Sequence, residues 1–216
     1  MMRLLAFSLC LALLAGCASR APTVDAPPRE RGDWSAQAER LQALERWRLA
    51  GKVGLRTPDD ATSANLDWTQ APRYYRMLIS GPFGAGRSVL EGMPGNVTLI
   101  TGDGRFQAAT PEQLMQEQLG WSLPISALDY WVRGLPAPGS YHEMQTDARG
   151  FPTRLNQSGW TIEYRDWSWA PNLADGVWLP RRLVMSYGDL RATLIVNQWR
   201  PNAIGDAINN AASESS

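Results

Sequence analysis

Strict alternation of apolar and polar side chains, repeated in many short runs, is the feature that most limits how this 216-residue chain can fold. From Trp47 to Arg56 the odd positions are mainly apolar or small, whereas Arg48 and Lys52 occupy even positions. A period of two places alternate side chains on opposite faces of a β-strand. The pattern therefore predicts a strand with one face in the core and the other in solvent.

Similar runs recur along the chain, separated by turn sequences such as Pro94-Gly95, Asp103-Gly104 and Gly188-Asp189. The predicted strands are 47–56, 64–69, 74–80, 88–91, 96–101, 105–108, 153–157, 160–167, 182–187 and 191–199. Short turns between successive strands favour antiparallel pairing. The sequence therefore predicts a mainly β fold built as an antiparallel meander.

Helical periodicity replaces the alternation in three segments, 33–45, 110–119 and 126–133. The second has strong end signals, because Thr110 is a capping residue and Pro111 suits the first helical position. A sheet with one apolar face must cover that face. These short helices are the expected cover.

The N-terminal segment is typical of a bacterial export signal. Arg3 precedes the apolar run 4–14, and Leu-Ala-Gly then leads to Cys17. The run is shorter than the about 20 apolar residues that cross a bilayer. An ordinary secretory signal or a buried core helix are the alternatives, but the ending resembles the lipobox of lipoproteins, which implies cleavage before Cys17 and acylation of that residue. The absence of Asp after Cys17 resembles lipoproteins that are sent to the periplasmic leaflet of the outer membrane.

Composition divides the rest of the chain into a tether, a body and a tail. Residues 17–32 are rich in Pro and Arg and poor in apolar groups, as in a flexible tether. Residues 33–200 are long enough for one domain with its own core. Residues 201–216 are small and polar, which predicts a disordered tail. The expected organisation is a signal peptide at 1–16 followed by these three parts.

Several functional classes are disfavoured by composition. Cys10 lies in the signal and Cys17 is the acylation site, so no thiol remains for a disulfide, a metal cluster or a nucleophile. Loss of Arg3 leaves 20 basic against 21 acidic residues, a formal net charge of −1, which gives no sign of nucleic-acid binding. The single histidine, His142, is interpreted as a solvated loop residue. A glycan-acting enzyme with two carboxylates stays an alternative without named residues.

The glycine-rich segment 81–88 has the spacing of a phosphate-binding loop but not its chemistry. Arg87 stands where the lysine belongs, and a strand is predicted to follow instead of a helix. Within this segment Pro82, Phe83 and Gly84 place one large apolar side chain among turn residues. Phe83 either folds back into the core or protrudes, and a protruding Phe on a membrane-tethered protein would suit insertion into lipid.

The chain has 10 tryptophans. Each is a large apolar body with one N–H that needs a partner, so this number suits either a well-filled core or an apolar cavity with a few polar groups.

Several segments together resemble the LolB family of outer-membrane lipoprotein receptors, in order and over nearly the whole mature chain. They are the lipobox, Trp47 and Gly51, Trp68-Thr69-Gln70, Gly81-Pro82-Phe83-Gly84, Leu123-Pro124-Ile125, Trp131 with Gly134-Leu135-Pro136, Gln157-Ser158-Gly159-Trp160, and Leu179-Pro180.

The resemblance implies an incomplete, half-open antiparallel β-barrel covered by helices, like those of LolA and LolB. It implies a monomeric receptor without cofactor, metal or catalysis, which takes lipoproteins from a LolA-type periplasmic carrier, holds their acyl chains in an apolar interior and inserts them into outer-membrane phospholipid. An apolar residue on a protruding loop assists insertion in the family. The matching residue here is Phe83, where the family has Leu.

Candidate lining residues for such an interior are the apolar positions of the first three strands. They are Trp47, Leu49, Val53, Leu66, Trp68, Met77 and Ile79. Simple core filling is the alternative for each. The rival function is a structural or assembly lipoprotein with a solid Trp-rich core that binds a protein partner.

Overall fold

The computed structural model describes residues 26–29, 33–81, 86–120 and 122–202. The helices there are α1 (Asp33–Ala43), α2 (Pro111–Leu119) and α3 (Ile125–Trp131). The strands are β1 (Trp47–Arg56), β2 (Ala61–Ala71), β3 (Tyr74–Ser80), β4 (Ser88–Met93), β5 (Asn96–Thr101), β6 (Gly104–Ala108), β7 (His142–Thr146), β8 (Pro152–Gln157), β9 (Trp160–Ala170), β10 (Val177–Tyr187) and β11 (Leu190–Pro201). The predicted acylation site Cys17, the loop residues Pro82, Phe83 and Gly84, and the tail from residue 203 lie outside the described residues.

All eleven strands belong to one antiparallel sheet, in the order β6-β5-β4-β3-β2-β1-β11-β10-β9-β8-β7. The edge strands β6 and β7 do not pair with each other, so the sheet is unclosed. The segment between them carries α2 and α3. α2 packs against β5 and β6, and α1 packs against β10. The predicted fold class, a half-open antiparallel β structure covered by short helices, is confirmed.

Strand direction gives the sheet two rims. The first, here called the loop rim, carries the connections 57–60, 81–87, 102–103, 158–159 and 188–189. The second, here called the helix rim, carries 72–73, 94–95, 147–151 and 171–176, together with the entry of α1 into β1. The connection that contains Phe83 therefore joins β3 to β4 at the rim opposite the one where α1 enters.

The concave face is packed with large side chains near the helix rim. Trp47 and Trp68 are buried, with ring centroids 4.8 Å apart, and Trp199 packs edge-on against Trp47 at 5.2 Å. Trp131 is also fully buried. Aromatic pairs in this geometry stabilise a core by about 0.5–1.5 kcal/mol beyond the burial of their area.

The sequence signals of α2 are confirmed, whereas those of α3 are only partly so. Thr110 Oγ1 accepts a hydrogen bond from the Gln113 N–H at 3.1 Å, as a capping residue should. α3 begins at Ile125 without a capping side chain of its own. Instead, the Glu112 carboxylate of α2 accepts the Ser126 N–H at 2.9 Å. A cap supplied from another helix leaves no local signal at the start of α3. The helix begins one residue before the predicted range of 126–133 and ends two residues before the end of that range.

One strand was missed and several boundaries differ. β7 is a polar edge strand that starts at His142, so the loop assignment of this histidine was wrong, although its side chain is exposed as expected. β7 has no alternating apolar pattern because nearly all its side chains face solvent. β9 and β10 are longer than predicted, and α1 ends at Ala43 rather than at residue 45.

Gly51 is required by a close approach between β1 and β11. The pairing register shifts between Ala50 and Gly51, and a Cβ at Gly51 would overlap the carbonyl oxygen of Ile195. The replacement Gly51→Ala should lower the free energy of unfolding by about 1–3 kcal/mol, the usual cost of overpacking. Urea denaturation followed by tryptophan fluorescence measures the change.

Gly54, on the same strand, is the matched control. A Cβ there would find its nearest neighbour, the Thr62 carbonyl oxygen, at 3.9 Å. Gly54→Ala should therefore be neutral or stabilising by up to about 1 kcal/mol. Equal destabilisation by both replacements would contradict the assignment of Gly51 as the point of close approach.

Candidate functional site

The seven predicted lining residues lie on three adjacent strands of the concave face. Leu49 pairs with Trp68, and Trp68 pairs with Met77. The same row continues through Leu90 and Leu99 to Phe106. Such pairing brings side chains to within about 5 Å of each other on one face. An apolar row therefore runs without interruption across six strands, and the candidates Trp47, Leu66, Val53 and Ile79 lie above and below it.

Burial along this face changes from one rim to the other. Trp47 is 0% exposed and Leu49 is 1% exposed, whereas Val53 and Leu55, further along the same strand, are half-buried. Ile79, near the loop-rim end of β3, is also half-buried. Leu66, Trp68 and Met77 are buried. On β1 to β3 the apolar side chains are thus mostly buried near the helix rim and half-buried near the loop rim. At the loop-rim ends of β9, β10 and β11, Trp160, Met185 and Ala192 are buried.

The helix α1 is attached to the sheet by both apolar packing and hydrogen bonds. The ring centroids of Trp34 and Trp167 are 5.3 Å apart. Gln37 donates to the Trp178 carbonyl at 3.1 Å and accepts the Trp178 N–H at 2.8 Å. Arg40 donates to the carbonyl oxygens of Ala174 and Gly176 at 3.1 and 3.0 Å. Leu41 lies on the apolar side of this helix and is buried. The sequence alone did not identify Gln37, since a polar residue in a helix gives no sign of a distant backbone partner.

Arg133 joins α1 to α3 in the protein interior. Its side chain is 3% exposed and donates to the carbonyl oxygens of Leu41 and Leu44, near the end of α1. A cation is favourable there because carbonyl groups concentrate negative charge at a helix C-terminus. Arg133 also forms an ion pair with Asp129 at 3.3 Å. Burial raises the pKa of Asp129 above its usual range, and the guanidinium lowers it by less.

Gln157 uses every hydrogen-bonding group of its side-chain amide. Its oxygen accepts from Trp131 Nε1 at 2.8 Å and from the Ala137 N–H at 2.9 Å. Its nitrogen donates to the Ala137 carbonyl at 2.7 Å and to Ser140 Oγ at 2.8 Å. This residue was noted only as part of a family-like segment. It fixes the end of α3 and the segment after it against β8.

Several buried donors have no hydrogen-bond partner among the described residues. These are Trp47 Nε1, Trp199 Nε1, Tyr75 Oη and Tyr164 Oη. Burial raises the pKa of both tyrosines well above the usual range, so both remain protonated donors at neutral pH. These four buried donors are therefore available to an acceptor that enters the interior.

A hollow of about 300 Å³ opens at the helix rim, between the β2–β3 and β4–β5 turns and the helices. Trp68, Tyr75, Val97, Ile125 and Asp129 are among its lining residues. Small-molecule sites range from about 300 to 1,000 Å³. The hollow is therefore at the small end of that range and would not take several long acyl chains without a rearrangement.

Other chemistry that the sequence suggested is not assembled. Residue 81 and residues 86–87 lead into strand β4, so no helix N-terminus follows the phosphate-loop-like spacing. Over the described ranges, no three His, Cys, Asp or Glu side chains are grouped to hold a metal ion. No helix in that same part of the chain is long and apolar enough to span a membrane.

Loss of the Gln157 network should cost more than loss of an exposed amide. Gln157→Leu would leave Trp131 Nε1 and both backbone groups of Ala137 unpaired, and each buried unpaired group costs about 1–3 kcal/mol. The variant should be destabilised by about 2–4 kcal/mol in urea and should show altered near-ultraviolet circular dichroism. Gln145→Leu, at an exposed position of β7, is the control and should change neither. Similar effects in both variants would contradict the proposed network.

The fold and this site define a class of protein: an unclosed β-barrel whose continuous apolar concave face is covered by short helices. Hydrogen bonds help to hold these helices in place. The family model for outer membrane lipoprotein LolB matches residues 45–199, which is most of the chain. The chain belongs to the LolB family.

Two LolB proteins are similar to this chain over most of its length. The chain is 65% identical to an outer-membrane lipoprotein LolB from Chromohalobacter salexigens over 190 residues, covering 88% of this chain and 86% of the relative. It is 42% identical to the Pseudomonas aeruginosa LolB over 208 residues, covering 94% and 98%. Among solved structures it is similar to a LolA superfamily protein from Nitrosomonas europaea, with a TM-score of 0.48, 9% identity, and coverage of 81% of this chain and 96% of that one.

Family membership confirms the resemblance found in the sequence. The protein is an outer-membrane lipoprotein and a receptor in lipoprotein localisation, which is a transport role and not an enzymatic one. Its family implies interaction with a LolA-type carrier and with lipoprotein clients. The rival role of a purely structural lipoprotein is not favoured.

Proposed function

We propose that the concave apolar face receives the acyl chains of a client lipoprotein and that the 81–87 loop passes them to the phospholipid of the outer membrane. The observation that carries this proposal is the apolar face of β1 to β6, whose central row runs from Leu49 to Phe106. On this face Val53, Leu55 and Ile79, near the loop rim, are only half-buried. In this account the protein acts as a monomer, anchored through acylated Cys17.

Transfer of this kind needs no energy source of its own. Each buried methylene contributes about 0.8 kcal/mol, so a client moves toward the site where its chains are better buried. The receptor must hold the chains more tightly than the LolA-type carrier and less tightly than the bilayer. Graded affinity then gives the direction of transfer.

Entry of the chains requires the cover to move. α3 places Ile125, Leu128 and Trp131 against the concave face, and α1 is joined to it through Arg133. Hydrogen bonds join α1 to β10 and to the 173–176 segment, and exchange of each for a bond to water costs about 0.5–1.5 kcal/mol net. Displacement of α1 would also expose Leu41 and separate Trp34 from Trp167.

The unpartnered buried donors suit the same ligand. Lipoprotein acyl chains are joined through ester and amide carbonyls, which accept hydrogen bonds. Tyr75 Oη and Trp47 Nε1 are buried and without partners among the described residues. A carbonyl that arrives with the chains would relieve the cost of these donors, about 1–3 kcal/mol each.

The accessible end of the apolar face should decide acyl-chain uptake. Ile79→Glu would place a carboxylate on the concave face near the loop rim and should weaken binding of a fluorescent fatty acid at least about tenfold, because a charge is costly in an apolar site. The measurement is a fluorescence titration of the purified protein.

Leu78 provides the matched control on the same strand. It is also half-buried but pairs with Asp67 on the opposite face of the sheet. Leu78→Glu should therefore leave uptake unchanged. No uptake by the unmodified protein, or equal loss in both variants, would favour a solid core and contradict the proposal.

The loop should act after uptake. Phe83→Glu should leave folding and fatty-acid binding intact but reduce delivery of a lipoprotein client to liposomes at least about tenfold, because a charged side chain does not partition into lipid. Phe83→Leu, which keeps an apolar group, should retain delivery. Normal delivery by the Glu variant would remove Phe83 from the mechanism.

A further inference from the structure

Two arginines lie directly opposite each other on the outer face of the sheet. Arg56 of β1 pairs with Arg191 of β11, and both are exposed. Paired residues on one face have Cβ atoms about 4.5–5.5 Å apart, where two like charges destabilise the sheet. Neither guanidinium forms a salt bridge within 4.0 Å with any described residue.

A hollow of about 370 Å³ lies between these arginines. Gly54, Ala61, Thr193, Leu55 and Thr62 complete its lining. Both arginines therefore border a recess that small residues and two threonines also line.

Gly54 has no steric reason to be glycine. Its φ is not positive, and a Cβ would come no closer than 3.9 Å to another atom. Gly51, three residues earlier, differs because a Cβ at that position would overlap the carbonyl oxygen of Ile195. A glycine inside a strand weakens it and often marks a place where a ligand approaches the backbone closely. This observation is independent of the charges and points to the same recess.

The chemistry of the recess suits a phosphate. Each arginine offers a planar fork of donors that matches phosphate oxygens, and the pair supplies two positive charges. Thr193 adds a hydroxyl. A phosphate between the arginines would replace their repulsion with two charge-assisted contacts.

Charged groups of both signs surround the recess, but the nearby carboxylates do not pair with its arginines. Lys52 lies on the same face of β1, two positions before Gly54. Asp59 and Asp60 lie in the β1–β2 turn, and Asp189 lies in the β10–β11 turn. Asp60 accepts the Ala61 N–H at 2.7 Å, and none of the three forms an ion pair with Arg56 or Arg191.

We propose that the recess over Gly54 between Arg56 and Arg191 binds the phosphate of a phospholipid headgroup at the membrane surface. A lipid is favoured over free phosphate because the protein is an outer-membrane lipoprotein. The recess lies at the loop rim, so headgroup binding would turn the 81–87 loop toward the bilayer. This orienting role rests on the proposed function of that loop.

The direct test is headgroup binding by the purified, lipidated protein in detergent. The probe is glycerophosphoglycerol, the water-soluble headgroup of phosphatidylglycerol, and inorganic phosphate is the comparison ligand. The double variant Arg56→Gln/Arg191→Gln should bind the probe at least about tenfold more weakly. Arg73→Gln/Arg105→Gln removes two exposed charges outside the recess and should bind normally. Gly54→Val fills the recess without changing charge and should also weaken binding.

A second measurement separates lipid from free phosphate. In vesicles of phosphatidylethanolamine and phosphatidylglycerol, energy transfer from the tryptophans to a dansyl headgroup should fall in the arginine variant and not in its control. Equal effects in both double variants, or phosphate binding with no change in energy transfer, would overturn the proposal. Fatty-acid uptake, measured on the same variants, should be unchanged, so failure here is distinguishable from failure of the proposed function.

Discussion

An unclosed sheet leaves an apolar concave surface that water would contact unless something covers it, and the rest of this structure depends on that constraint. The row from Leu49 to Phe106 crosses six strands. Apolar surface of this kind contributes about 25 cal/mol for each Å² removed from water. The segment between the edge strands supplies the cover, and the burial of Trp131 and Leu128 shows how closely it packs.

The cover combines apolar packing with polar contacts at defined points. Gln37, Arg133 and Gln157 each satisfy several backbone or side-chain groups. Such networks are costly when half broken, because an unpaired buried group carries its full desolvation penalty. A cover of this kind favours two states, closed with all partners present or open with water in their place. In the proposed function, acceptance and release of acyl chains need that behaviour more than they need maximal stability.

The two rims differ in how the side chains of the first strands are packed. At the helix rim, Trp47, Trp68 and Trp199 fill the interior and α1 enters the sheet. At the loop rim, Val53 and Ile79 are only half-buried, and the connection that contains Phe83 begins and ends there. In the proposed function, the packed tryptophans of β1, β2 and β11 would keep the sheet folded while acyl chains meet the half-buried side chains of β1 and β3.

Alternation in residues 47–80 was enough to predict strands β1 to β3 and their inward residues, because burial of one face imposes a period of two on any such strand. The signals for the two ends of α2 were also local, since Thr110 and Gly120 form hydrogen bonds with backbone groups of their own helix. The strand β7, the cap that Glu112 provides for α3, and the roles of Gln37, Arg133 and Gln157 were decided only by tertiary structure. Their partners lie 14 to 141 residues away, and no local pattern encodes which distant backbone group a polar side chain will meet. The opposition of Arg56 and Arg191 has the same origin: strand register places two charges together that the sequence separates by most of the domain.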